Sequence, residues 1–189
     1  MFQGRFFPRE EGGTDVRQVW IRVRALEARF HATLGRCGAA LAIVDHIGDR
    51  GEPLAFTRDG LDRFILAAPN QAALGMAEAR CGRADAAARR LRSLSASGEA
   101  GSLVFAYELA RQLPGFDAAA WSAQLQSAGS RWGGRDTESS WNAAISGILE
   151  LDLGHTNESR ALIESALLLP DRSLAHHLGR EALRSFAGK

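Results

Sequence analysis

Lysine is nearly missing from this chain: Lys189 is the only one among 23 basic residues, and the other 22 are arginine. Acidic residues number 22, which leaves a formal net charge of only +1. A protein that binds nucleic acid needs a basic excess to neutralise phosphates, so no nucleic-acid partner is expected. Uninterrupted apolar runs all fall short of the roughly 20 residues that span a bilayer, and direct membrane insertion is not expected either. The first 20 residues lack the charged start and apolar core of a signal peptide. Cysteine is limited to Cys37 and Cys81. Two thiols in a chain large enough to build its own core do not make a disulfide framework, so both read as small buried residues in helices. A reducing, cytoplasmic location is the default expectation.

The signatures of familiar chemistry are also missing. There is no HExxH, no Cys/His pair at zinc spacing, no GxSxG elbow, no GxxxxGK and no GxGxxG. His31, His46, His155, His176 and His177 are scattered, and neighbours such as His176 and His177 diverge by about 100° on a helix. No catalytic residue, no metal site and no cofactor is expected, and the chain is read as a non-enzyme.

Period-two alternation is absent, whereas apolar residues recur at steps of three and four. With 46% hydrophobic and 24% charged residues, the chain has the composition of a globular, all-α protein. From Thr14, a suitable N-cap, a stripe of Val16, Val19, Trp20, Val23, Leu26, Phe30 and Leu34 predicts a long helix with one packing face. A second helix is expected over 39–47, ended by the Gly and Pro of IGDRGEP. A short helix carrying Leu61, Phe64 and Ile65 should stop before Pro69, and Asn70 should cap the next. Further helices fit 84–95, 101–112, 117–128, 138–152, 156–168 and 172–186.

The punctuation repeats. GRCGAALA at 35–42 resembles ARCGRADAAA at 79–88, and LPGFDAAAW at 113–121 shares its layout with LGHTNESRAL at 153–162. Each is a helix end, a glycine and a restart, with glycines at 38, 82, 115 and 154. Intervals near the mid-thirties of residues are those of helix-pair repeats carrying insertions, here IGDRGEPLAFT and SAGSRWGGRD. Gly154 should end one helix with positive φ, and Ala161, Leu162, Ala166 and Leu169 should then face back onto it until Pro170.

LGHTNESRALIESALLLPD resembles the second half of a tetratricopeptide repeat, with its Leu-Gly turn, small residue, large apolar residue, alanine and closing proline. The segment 74–94 is similar, with Leu74-Gly75 in a first helix, Gly82 at the turn, and Ala87 and Leu91 in a second. Glu78 stands where that family usually carries tyrosine, and Glu108-Leu109 replaces the Leu-Gly pair in the segment between. The resemblance implies an antiparallel helix-pair, right-handed solenoid of about nine or ten helices. It divides the chain into a Phe-rich arm (1–13), N-terminal helices (14–68), tetratricopeptide-like repeats (69–171) and a C-terminal capping helix (172–189). In that cap Leu174, Leu178, Leu183 and Phe186 form one face, and Arg172, His176, Arg180 and Arg184 the other.

Such a family lines a concave groove with the first helix of each pair. Counting from the Leu-Gly turns, the resemblance implies that Met76, Phe105, Leu109, Trp141, Ala144 and Ile148 face it. A protein partner is expected there, an apolar helix or peptide segment. Ordinary core between helices is the competing reading of the same six residues. Phe2, Phe6 and Phe7 of the arm, with Trp132, form a second candidate contact. Arg89, Arg90 and Arg92, near Arg80 and Arg83, read first as a solvated basic face. The function expected is a non-catalytic interaction module, such as an adaptor, assembly factor or dedicated chaperone. Its competitors are a structural subunit built permanently into a larger complex, and a helical small-ligand sensor or enzyme.

Overall fold

The computed structural model describes residues 15–49, 60–96, 100–129, 140–168, 179–180 and 182–184. Among these residues there are nine α-helices and no strand. They are α1 (Val16–Thr33), α2 (Cys37–Asp45), α3 (Asp62–Ile65), α4 (Ala68–Arg80), α5 (Ala84–Ala96), α6 (Ala100–Ala110), α7 (Ala118–Gly129), α8 (Ser140–Asp152) and α9 (Thr156–Leu168). The all-α expectation holds.

Local chemistry accounts for most of the boundaries. Asp15 starts α1, its carboxylate accepting the Arg17 N–H at 2.9 Å. Asp117 does the same for α7, accepting from the N–H groups of Ala119 and Ala120 at 3.0 and 3.1 Å. Gly35, Gly82 and Gly154 follow α1, α4 and α8 with φ of 71°, 81° and 90°. In each case the next residue donates back to a carbonyl in the last turn: Arg36 to His31, Arg83 to Glu78 and His155 to Glu150, at 2.8–2.9 Å. A side chain with a Cβ resists that left-handed backbone, which is why glycine holds these three places.

Two punctuation marks fall differently from the sequence expectation. In GRCG the turn glycine is Gly35, and Gly38 lies inside α2 with open space around it. Helix α3 ends at Ile65, before Pro69 as expected, but Pro69 itself lies in the first turn of α4, one residue ahead of the expected cap Asn70. An N–H in that turn has no intrahelical acceptor, so proline costs nothing there. Asn70 is consequently a buried helix residue whose amide donates to the Phe64 carbonyl at 2.7 Å, not a cap.

The chain divides into two units, Met1–Pro114 and Gly115–Lys189. In the first, α4 is the central helix and packs on α1, α2, α5 and α6, with α3 touching α1 and α4. Helices α1 and α2 pack as one pair joined by the Gly35 turn, α4 and α5 as another joined by the Gly82 turn, and α6 follows against both α4 and α5. The core joins Ile21, Ala25, Ala28 and Ala32 of α1 to Ala73, Leu74 and Ala77 of α4 and to Ala40, Ile43 and Val44 of α2. Alanine on alanine lets helix axes approach closely. Gly75 carries this to its limit: a Cβ there would meet the two Leu109 methyls at 2.6 and 2.9 Å.

In the second unit α8 packs against α7 and α9. Gly147 is the point of closest approach, where a Cβ would meet Ile163 Cγ1 at 2.6 Å and the Ser159 carbonyl oxygen at 3.0 Å. Ser159, Ile163 and Ala166 are the inward residues of α9. Of the four expected to face inward, Ala166 does, Leu162 is half-buried, Ala161 is exposed, and Leu169 lies outside the described residues with Pro170. In the expected capping helix the described Leu183 is half-buried and Arg180 and Arg184 are exposed, while its other named residues lie outside.

Cys37 and Cys81 are joined in a disulfide, with Cα atoms 5.3 Å apart. That corrects the reading of both as free, and it removes the premise from which a reducing compartment was expected. The bond ties the first residue of α2 to the residue that closes α4, across a sequence separation of 44 that no local pattern reports.

Candidate interaction surface

Four of the six residues expected to line a groove are interior. Met76 and Leu109 are closed off inside the first unit, and Ala144 and Ile148 inside the second. The reason is that α4 is covered on every side from Asn70 to Glu78, and that α8 turns Ala144 and Ile148 into its own core. Their contacts hold helices together. Phe105 is half-buried on α6. Trp141 belongs to α8 but its side chain lies outside the described residues, as do Phe2, Phe6, Phe7 and Trp132.

The expected basic face is taken apart by its own neighbours. Arg90 turns inward, with Nε and Nη2 donating to the two Glu78 carboxylate oxygens at 2.8 and 3.0 Å and Nη1 donating to Gln71 Oε1 at 2.9 Å. Gln71 in turn donates to the Ile65 carbonyl at 2.7 Å, which anchors α3 over the start of α4. The Arg83 guanidinium binds both Asp45 oxygens at 2.5 and 3.0 Å and holds that carboxyl below the usual carboxylate range. Arg80 donates to Thr33 Oγ1 at 2.7 Å and to Gln112 Oε1 at 3.2 Å. Arg89 and Arg92 remain on the surface. Arg80, Cys81 and Arg83 together make the turn after α4 a knot that binds the ends of α1, α2 and α6.

The open surface with a distinct chemistry is the outer side of α1. At roughly 100° per residue, Ile21, Ala25, Ala28 and Ala32 share one side of the helix, and Val16, Val23, Phe30 and Leu34 share the opposite side. The first set is buried. The second is exposed, at 39% for Val16, 50% for Val23 and 49% for Phe30 and for Leu34. Val19 and Leu26 border it half-buried. Of the seven residues read as one stripe, Trp20 packs partly against the core, Val19 and Leu26 are half-buried, and Val16, Val23, Phe30 and Leu34 are turned away from it. Both stripes were visible in the sequence, since Ile21, Ala25, Ala28 and Ala32 are also spaced by three and four; bulk alone pointed to the wrong one.

Charge flanks this apolar stripe. Arg22 stands exposed on one edge, and Glu27 on the other accepts from Arg24 Nη1 at 2.6 Å, with His31 Nε2 at 3.8 Å from its second oxygen. Arg24 also lies over the Trp20 ring, 5.8 Å from its centroid. At the head of the helix Arg17 and Arg63 both pair with Asp15, at 2.7 and 3.0 Å, and hold its carboxyl down at about 2. Contiguous apolar surface with a polar rim is the usual mark of a docking site.

Among the described residues no three His, Cys, Asp or Glu side chains come together as a metal site, and no helix is long and apolar enough to cross a membrane. No protein-family model, no curated protein and no solved structure matches the chain.

Proposed function

We propose that this chain is a non-catalytic protein–protein interaction module, built of stacked helix pairs in the manner of tetratricopeptide repeats, and that it docks an apolar helix on the outer side of α1. The observation that carries the reading is the exposure of Val16, Val23, Phe30 and Leu34 on a helix whose other side is already packed. A helix inside a solenoid needs two packing sides, one for each neighbour, whereas a terminal one needs a single packing side and a polar back. Helix α1 has two, and one is open. The order of contacts supports the repeat architecture: first helix α1 on first helix α4, α4 on α6, and each second helix against the first helix of the following pair. A helix laid along α1 would continue that order by the same packing that α4 uses on the other side.

The test is affinity capture from the host's lysate with wild type, a Val23→Asp/Phe30→Asp variant and a Phe105→Ala/Trp141→Ala variant, each first shown by circular dichroism to keep its helix content. Loss of the captured protein with the α1 variant alone supports this surface. Loss with the folded Phe105/Trp141 variant alone moves the site to the groove inferred from sequence. Equal capture by all three overturns both.

A further inference from the structure

The outer stripe of α1 has the spacing of a coiled-coil seam. Val16, Val23 and Phe30 are seven residues apart, and Val19 and Leu26 interleave three residues after the first two. In heptad notation these are a and d positions, with β-branched valine at two of three a sites and leucine at one d site, a combination that suits two parallel strands. Of the five buried residues of α1, Ile21, Ala25, Ala28 and Ala32 fall at f and c, on the far side of the same helix, while Arg29 falls at g; Trp20, at an e position, packs partly against the core. Pairing along the a and d seam would leave the four at f and c untouched.

Resting on the reading that this side of α1 is a docking surface, we propose that its occupant is a second copy of the same chain, with the two α1 helices parallel about a two-fold axis. Charge selects this partner. Arg22 occupies a g position and Glu27 the e position five residues later, the separation at which g of one strand meets e of its parallel neighbour. Because the axis makes each pair reciprocal, two opposite-charge contacts close the two edges of the seam at once. An antiparallel arrangement sets g against g and e against e, and loses both.

Eighteen residues make a short seam, about 27 Å long. As an isolated peptide it would be too short to pair well, because the helix would have to form at the moment of association. Here the Asp15 cap and the α2 and α4 contacts have already formed it, so the ordering cost is largely met before the partner arrives. The seam is nonetheless at the small end of stable interfaces, and a dimer with a dissociation constant of roughly 1–50 μM is the expectation.

Sedimentation equilibrium of the full chain up to about 200 μM, across that range of affinity, is the direct measurement. Wild type should be dimeric at the upper end. Val23→Asp/Phe30→Asp, with helix content intact, should raise the dissociation constant by about 100-fold or more, because the charges would be buried face to face. Arg22→Glu should weaken the dimer about 5–10-fold, and Arg22→Glu/Glu27→Arg should restore it. A monomeric wild type overturns the proposal. If the α1 variant also loses a different captured protein, the docking surface stands and only its occupant changes. If wild type becomes dimeric once residues 1–13 are removed, the occupant is the chain's own Phe2, Phe6 and Phe7. A dimer that survives Val23→Asp/Phe30→Asp, or that is indifferent to Arg22→Glu, overturns the parallel seam.

Discussion

Arg90 reaches from α5 across Gly75 to hold Glu78 of α4 by two hydrogen bonds, at 2.8 and 3.0 Å, with its stem 3.4 Å from where a glycine Cβ would stand. The Glu78 side chain is 5% exposed, and this guanidinium takes up both of its carboxylate oxygens. Breaking such a pair from one side leaves an uncompensated carboxylate in the interior. Arg90→Ala is expected to cost about 3 kcal/mol in chemical denaturation. Glu78→Met combined with Arg90→Met should cost at least about 1 kcal/mol less than Arg90→Ala, and a double-mutant cycle measures the difference.

Glycine-to-alanine changes should split by position. Gly38→Ala in α2 meets nothing within 4 Å and should stabilise by about 0.5 kcal/mol through the greater helix propensity of alanine. Gly75→Ala must push the Leu109 methyls aside and should cost about 1–2 kcal/mol. Gly147→Ala meets backbone, the Ser159 carbonyl oxygen and the Ile163 nitrogen, which cannot swing away, and should cost about 2–3 kcal/mol. Thermal and denaturant melts of the three variants give the order; Gly147→Ala matching Gly38→Ala would mean that α8 and α9 are not so close.

Closing a 44-residue loop with the Cys37–Cys81 bond removes conformational freedom from the unfolded chain. Reduction, or Cys37→Ser with Cys81→Ser, should lower stability by about 2–4 kcal/mol while leaving helix content below the transition unchanged. Under non-reducing denaturation the purified protein should offer no thiol to an alkylating reagent. Two reactive thiols in the untreated protein would contradict the pairing.

Acid sensitivity should be traceable to Asp15. In the fold its carboxyl is held at about 2 by Arg17, with Arg63 adding to the pull, against an ordinary value of 3.8 once unfolded. Between those values the unfolded chain takes up the proton first, so its contribution to stability is full above about pH 4 and is lost as pH falls towards 2. Asp15→Asn keeps a capping side chain but has no proton to bind. Its stability should fall less steeply than that of wild type over that window, in urea melts at stepped pH.

The helices, their approximate ends and the left-handed glycines at 82, 115 and 154 were legible in the sequence, because a helix is written by neighbours three and four residues apart and a cap by one or two residues. What covers a helix is not local. Two apolar stripes run along α1, and the alanine-rich one faces α4 because small side chains permit the closer approach; the bulkier stripe is left outside. Met76 was legible as apolar, but its burial depends on four other helices converging on α4. Arg90 looked like one more surface cation until Glu78, twelve residues away, was placed beneath it. Cys37 and Cys81 stand at the same place in two matching Arg-Cys-Gly segments, but that likeness does not bring them together; their meeting is made by two helix turns close in space. The sequence by itself determined the secondary structure, through contacts within one turn of helix. Only the tertiary structure decided which faces close, which charges pair and which apolar stripe is left for a partner, since each of those depends on residues far apart in the chain.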